Sequence, residues 1–168
     1  MIFFVAALWA YEKGLVSGDS FDGSSPCTRA QAVTYLWKLA GSPAAPAADF
    51  ADVSASDPYA GAVAWAAEQQ IVSGDDAGLF APNQSISREQ LAVMLWRYSG
   101  SPTATNKELH FNDTDEISGF ALEALRWAVE NGILNGYGDG RLGPQGQATR
   151  AQVAQMLKNF IENQEETT

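Results

Sequence analysis

The stretch TRAQVAQML, residues 149–157, decides how the chain is read. It opens on a hydroxyl and an arginine, places a glutamine three residues after the hydroxyl, and then turns apolar at helical spacing. The same order returns as TRAQAVTYL at 28–36 and as SREQLAVML at 87–95. A hydroxyl followed three residues later by glutamine is a capping box, in which the hydroxyl accepts from the third backbone N–H and the glutamine side chain reaches back. Thr28 with Gln31, Ser87 with Gln90 and Thr149 with Gln152 satisfy it, so each stretch is the start of a helix. Arg29, Arg88 and Arg150 then occupy the first helical position, where N–H groups lack partners and the macrodipole presents positive charge. A cation there costs about 0.3 to 1 kcal/mol unless something negative answers it.

The motif recurs about every sixty residues, a period that marks a repeated supersecondary unit. Trp9, Trp65 and Trp127 set the same register: each is followed by a glutamate (Glu12, Glu68, Glu130), an aliphatic pair and a glycine (Gly18, Gly74, Gly136). A short polar loop leads from that glycine to the arginine motif, and the first such loop is three residues shorter than the others. Repeats two and three also open on FADV (50–53) and FNDT (111–114), whereas repeat one has no such lead and reads as truncated at its N-terminus. The boundaries are repeat one at 1–42, repeat two at 50–101 and repeat three at 111–162, with linkers at 43–49 and 102–110 and a tail at 163–168.

Each repeat reads as two helices. The first carries an apolar stripe around its tryptophan; Gly14 and Gly132 suit a left-handed C-terminal stop, a rule that Gln70 breaks in the second copy. In the second helix Leu91, Met94, Leu95 and Tyr98, or Val153, Met156, Leu157 and Phe160, fall on one face. A lone pair of helices of this size cannot bury both stripes, so the expected fold is mainly α, with three pseudo-symmetric repeats packed around a shared core as one domain. The tail, having no apolar face, is expected to fray.

Composition narrows the function classes. Twenty acidic residues against ten basic ones, net charge -10, give a field that repels phosphate backbones and anionic lipid, which argues against nucleic-acid and membrane partners. The opening MIFFVAALWA is about half the ~20 apolar residues a membrane span needs and has no basic residue before it, so it is read as part of a repeat. Cys27 is the single cysteine and reads as a small residue at a helix entry. His110 is the single histidine, in a polar linker, so neither a histidine metal cluster nor a nucleophile triad can be built around a second one. The segments 75–78 and 136–144 lack the alternating oxygen ligands of a calcium loop and are read as turns. No cofactor, metal or catalytic residue is expected.

Two answers to the arginines stay open at this level. Protein carboxylates can pair with them, Asp52 and Asp113 of the two leads being the candidates. Alternatively, free N–H groups, helix dipole and guanidinium fork converge as a site for a carboxylate or phosphate on a ligand.

The F-x-D-V lead, the W-A-x-E with its aliphatic pair and glycine, the loop DDAGLFAP and T-R-A-Q together resemble the S-layer homology repeat, over nearly the whole chain. The resemblance implies a tandem of three with binding grooves between neighbouring repeats. It also implies a non-covalent cell-wall anchoring module, carried outside a bacterium with a thick peptidoglycan wall as a segment of a larger surface protein. Its partner would be secondary cell-wall polysaccharide, often pyruvylated. The family's groove arginine maps to Arg29, Arg88 and Arg150. The neighbouring Thr28, Ser87, Thr149, Gln31, Gln90 and Gln152 are secondary candidates, Gln standing where the family usually has Glu. Because repeat one lacks its lead, Arg88 and Arg150 are expected to outrank Arg29.

Trp65 and Trp127 are further candidates as sugar platforms, against a core role that their place on the apolar stripe favours. Trp37 and Trp96 have no counterpart in repeat three, where Lys158 stands. Glycoside cleavage needs two unlike carboxylates across one bond, and Glu12, Glu68 and Glu130 do not mark such a pair. The alternative to glycan binding is a structural or protein-interaction domain in which the arginines form internal ion pairs.

Overall fold

The computed structural model describes residues 2–18 and 21–168. Among them are six α-helices, two short 3-10 turns and no strand beyond isolated bridges. The second helices of the repeats, α2 (Arg29–Leu39), α4 (Arg88–Tyr98) and α6 (Arg150–Glu166), start where the motif predicts, with both halves of every capping box formed. The first helices are α1 (Ile2–Glu12), α3 (Ala60–Glu68) and α5 (Leu122–Glu130).

Packing is cyclic. Helix α3 lies on α2, α5 lies on α4, and α1 closes the ring on α6. Each first helix therefore buries its stripe against the second helix of another repeat, which makes the three units one cooperative body. At the centre, Cys27 N–H donates to Ala148 O (2.9 Å), Ala148 N–H to Ile86 O (2.9 Å) and Ile86 N–H to Cys27 O (2.8 Å). The three residues hold equivalent places just before the capping hydroxyls and are fully buried. A closed triangle of backbone bonds thus sits on the pseudo-threefold axis and satisfies three amides that water cannot reach.

Around this hub the apolar faces merge. Leu36, Leu91, Leu95, Leu125, Leu157 and Phe160 are among the fully buried side chains, each worth about 1.5 to 3 kcal/mol by transfer from water. Trp65 meets Tyr98 edge to face, and Tyr98 and Trp127 both meet Phe160 in the same way. Trp9, Trp65 and Trp127 are buried. The candidate platforms Trp65 and Trp127 are thus core residues with no face to offer a sugar.

Gly14, Gly132 and Gln70 all adopt positive φ (+70°, +66°, +59°) and let the following N–H return to the helix, so the left-handed stop is kept even where glutamine replaces glycine. Trp37 and Trp96 each donate their indole N–H to a linker carbonyl, Pro43 O at 2.9 Å and Pro102 O at 2.8 Å. In repeat three, where Lys158 stands at this position, α6 continues through the place of that turn. Linker 102–110 then crosses α5, where Glu123 and Glu130 accept from the amides of Ala104, Thr105 and Asn106. The tail departs from expectation: with neither glycine nor proline to stop it, α6 runs on to Glu166.

Candidate functional site

The arginines are tolerated at a positively polarised helix end because their guanidinium groups leave it. Arg29 reaches from repeat one to the loop of repeat two, donating Nε to Phe80 O at 3.0 Å with its guanidinium 4.9 Å from the Phe80 ring centroid. Arg88 reaches the loop of repeat three, donating Nε and Nη2 to Leu142 O (3.2 and 3.0 Å) and Nη2 to Asn135 O (2.7 Å). Tyr137 stacks over it at 4.5 Å. Arg150 completes the cycle by lying over Phe21 of repeat one at 5.1 Å. Its Nε is buried without an acceptor among the described residues.

Two expectations are corrected here. The helix N-termini are not free: the N–H groups of Arg29, Arg88 and Arg150 donate to Gln84 O, Gly146 O and Ser25 O. Those of Ala30, Glu89 and Ala151 donate to Pro82 O, Pro144 O and Gly23 O, all at 3.0 Å. With the capping hydroxyl on the third amide, no unpaired donor is left for an anion. Nor do the arginines pair with the lead aspartates, for no such ion pair occurs among the described residues. The Asp52 carboxylate instead accepts from Phe80 N–H and Ala81 N–H (2.9 and 2.8 Å), and Asp113 from Leu142 N–H and Gly143 N–H (2.9 and 2.8 Å). Fixing those amides holds the Phe80 and Leu142 carbonyls where the arginines meet them.

The electrostatics follow. Burial pushes the Asp52 carboxyl up, but the surrounding amides and then the Arg29 charge outweigh it and hold the group below the usual carboxylate range. Asp113 behaves alike, with Arg141 as the nearby cation. Burial lowers the Arg29 and Arg88 guanidiniums against the opposing charges of Asp52 and Asp113, yet both remain cations at neutral pH.

The three arginines differ in what they leave open. Arg88 is 5% exposed and sealed under Tyr137. Arg29 is half-buried, and among the described residues its two terminal nitrogens have no protein acceptor. Arg29 lines a groove of about 490 Å³ built mostly from the loop and α4 of repeat two, whose walls include Asp75, Gln84, Gln90, Arg97 and, from repeat three, Phe120. Phe120 is 59% exposed at the lip. Such a volume with few polar groups converging on it suits a small ligand such as one sugar unit.

Arg150 is also half-buried, with Nη2 donating to the Tyr35 hydroxyl at 3.5 Å, so of the three only Arg88 is sealed. Repeat one's incomplete loop faces Arg150, while Arg29 faces the complete loop of repeat two. Which loop each arginine meets depends on the cyclic packing, which spacing along the chain does not reveal. Arg97 and Phe120 escaped sequence reasoning because neither recurs: Lys38 and Asn159 stand at the positions of Arg97 in the other copies. Of the secondary candidates, Thr28, Ser87 and Thr149 spend their hydroxyls on capping, and the Oε1 atoms of Gln31, Gln90 and Gln152 accept from the capping residues.

The elements read as possible metal or acid sites have structural partners. Asp75 accepts from the amides of Ala77 and Leu79 within its own turn. His110 is exposed near Glu108. Burial pushes the Cys27 thiol up to about 12, with the Arg150 charge opposing.

The family model described as the S-layer homology domain matches residues 6–33, 49–92 and 110–154. The chain is 31% identical over 152 residues to an exoglucanase, XynX, of Acetivibrio thermocellus, covering 88% of this chain and 14% of that protein. It is 28% identical over 165 residues to a surface-layer 125 kDa protein of Lysinibacillus sphaericus, covering 93% and 14%. It is also 30% identical over 94 residues to a cellulosome-anchoring protein of Acetivibrio thermocellus, covering 54% and 21%. The chain thus spans a minor part of each of these relatives.

Proposed function

The chain belongs to the S-layer homology domain family, and from that premise we propose that it is a non-catalytic module anchoring a larger surface protein to the bacterial cell wall. Its ligand is an anionic, pyruvylated secondary cell-wall polysaccharide, bound in the groove that Arg29 and repeat two form. The observation that carries this reading is that Arg29 lines a 490 Å³ groove while, among the described residues, its two terminal nitrogens have no protein acceptor. A guanidinium fork matches a carboxylate in two parallel hydrogen bonds, and Phe120 at the lip offers an apolar face to a sugar ring. The relatives support the anchoring role, one being named for cellulosome anchoring and another for the surface layer. In the relative named as an exoglucanase this chain corresponds to 14% of the length, which fits an attachment segment beside a catalytic one.

The repeated arginines have a second role, favoured by Arg88, whose guanidinium is fully engaged by carbonyls and a ring. It is a clamp between repeats. Arg29 combines clamp and ligand contact, Nε serving the first and the terminal nitrogens the second. A sedimentation assay with intact wall polymer and with polymer stripped of its pyruvyl groups tests the reading. Retention on the first and loss on the second is expected; equal retention on both excludes the pyruvyl carboxylate as the recognised group.

A further inference from the structure

Glycine follows asparagine twice in the chain, at 131–132 and at 135–136. In such a pair the glycine amide nitrogen can attack the asparagine side-chain carbonyl carbon, because no Cβ on the glycine hinders the approach. A five-membered succinimide closes and ammonia leaves. Water then opens the ring to aspartate or to isoaspartate, in which the main chain runs through the former side chain. The fold treats the two pairs oppositely.

Asn131 is the C-cap of α5 and is held. Its Nδ2 donates to Trp127 O at 2.8 Å, and the Gly132 N–H that would attack donates to Val129 O at 3.1 Å. Ring closure there must first break both bonds and unwind the left-handed stop at Gly132, φ +66°. Asn135 is exposed, and among the described residues neither its side-chain amide nor the Gly136 N–H has a hydrogen-bond partner. Its backbone carbonyl accepts from Arg88 Nη2 at 2.7 Å. A cation on that oxygen stabilises the negative charge that collects there as Gly136 N–H gives up its proton, so the Arg88 contact itself activates the nucleophile.

The glycine of this pair is fixed by packing. A Cβ at 136 would stand 2.7 Å from the Phe111 ring and 2.8 Å from Arg141 O. Gly74 of repeat two is fixed likewise, 2.9 Å from the Phe50 ring, but Ser73 precedes it and has no amide to lose. Repeat three, unlike repeat two, thus carries the reactive pair at the residue whose carbonyl an arginine uses.

We propose that Asn135 is a site of spontaneous deamidation and isomerisation in the folded chain, and so an ageing point of the clamp between repeats two and three. Gly136 N bonds to Asn135 Cγ and gives its proton to a solvent base. The Cγ–Nδ2 bond breaks, and the nitrogen leaves as ammonia with a proton from water. Water then adds across one of the two imide C–N bonds, with no oxidant or reductant involved. In isoaspartate one more backbone carbon separates the Asn135 Cα from Gly136. The acceptor held by Arg88 and the seat of Gly136 beneath Phe111 are spaced for an ordinary peptide, so the added carbon displaces one of them and loosens Tyr137 over Arg88. The consequence for stability rests on the clamp role of Arg88; the modification itself does not, and neither depends on the identity of any glycan.

The full chain is aged in mildly alkaline buffer, folded and in guanidinium chloride, and both pairs are followed by peptide mapping with mass spectrometry and an isoaspartyl methyltransferase. In the folded chain Asn135 should convert about tenfold or more faster than Asn131, the scale of the two hydrogen bonds that must open at Asn131. In denaturant the two rates should converge. Conversion of Asn135 no faster than that of Asn131 in the folded chain overturns the site, and an excess that persists in denaturant overturns the part assigned to the fold. Asn135→Ser, which carries the residue of repeat two and keeps the carbonyl, supplies the second readout. The isoaspartate fraction of the aged parent, separated by ion exchange, should unfold at lower urea than the fresh parent, while aged and fresh Asn135→Ser unfold alike. An isoaspartate fraction with the fresh parent's urea midpoint overturns the loosening of the clamp.

Discussion

Replacing Arg88 with alanine separates a clamp from a ligand contact. The side chain is 5% exposed and makes three hydrogen bonds to the carbonyls of Leu142 and Asn135, with Tyr137 packed over it. Asn135 is exposed, so water can replace the lost donor there. Leu142 is fully buried, so its carbonyl is left without one, at about 1 to 3 kcal/mol. Losing the stacked cation adds about 0.5 to 2 kcal/mol. Together with the void left by the stem, the change should destabilise the domain by about 3 to 4 kcal/mol. At this chain length that lowers the midpoint of thermal unfolding by roughly 6 to 16 °C. Urea denaturation followed by tryptophan fluorescence measures it directly. The reasoning is refuted if Arg88→Ala unfolds at the parent's urea concentration with an unchanged slope.

The lead aspartates give the fold an acid-sensitive limb. Asp52 and Asp113 are held below the ordinary carboxylate range, so their contribution is present above the unfolded value near ~3.9 and is lost as pH falls through the folded one. Asp113→Asn should therefore weaken the domain at neutral pH and flatten the loss of stability below about pH 4, read as urea midpoints across pH. Gln70→Gly should stabilise by about 0.5 to 1 kcal/mol in the same denaturation assay, since Gln70 sits at φ +59°. Cys27, fully buried with its thiol pushed up to about 12, should react with a thiol reagent only in denaturant. Rapid labelling of the folded chain would contradict the closed hub.

Much of this architecture is legible in the sequence, and the reason is local. A capping box involves four consecutive residues, so Thr28, Ser87 and Thr149 announce their helices without tertiary information. The apolar faces around Leu91 and Val153, and the core place of the tryptophans, follow from periodicity in the same way. What the arginines meet is not local. Arg29, Arg88 and Arg150 each find a loop of another repeat, and which one depends on α1 closing the ring on α6. The same closure spends the helix N-terminal amides on the carbonyls of Gln84, Gly146 and Ser25, so a cradle of free N–H groups drawn from spacing does not form. Asp52 and Asp113 look like ion-pair partners on charge alone, but two amides close at hand compete for each carboxylate and win. Phe120 and Arg97 carry no repeated signal and enter the groove only through the fold.

The most direct test of the groove is the affinity of Arg29→Met for pyruvylated wall polymer, measured by titration calorimetry beside Arg88→Met and the parent. Methionine keeps an apolar stem over Phe80 and removes the fork. The account predicts that Arg29→Met stays folded and loses binding by about 10² or more, the scale of a lost charge-assisted bidentate contact. Arg88→Met should lose stability and keep its affinity below the unfolding transition. Parent-like binding by folded Arg29→Met would contradict the assignment of this groove.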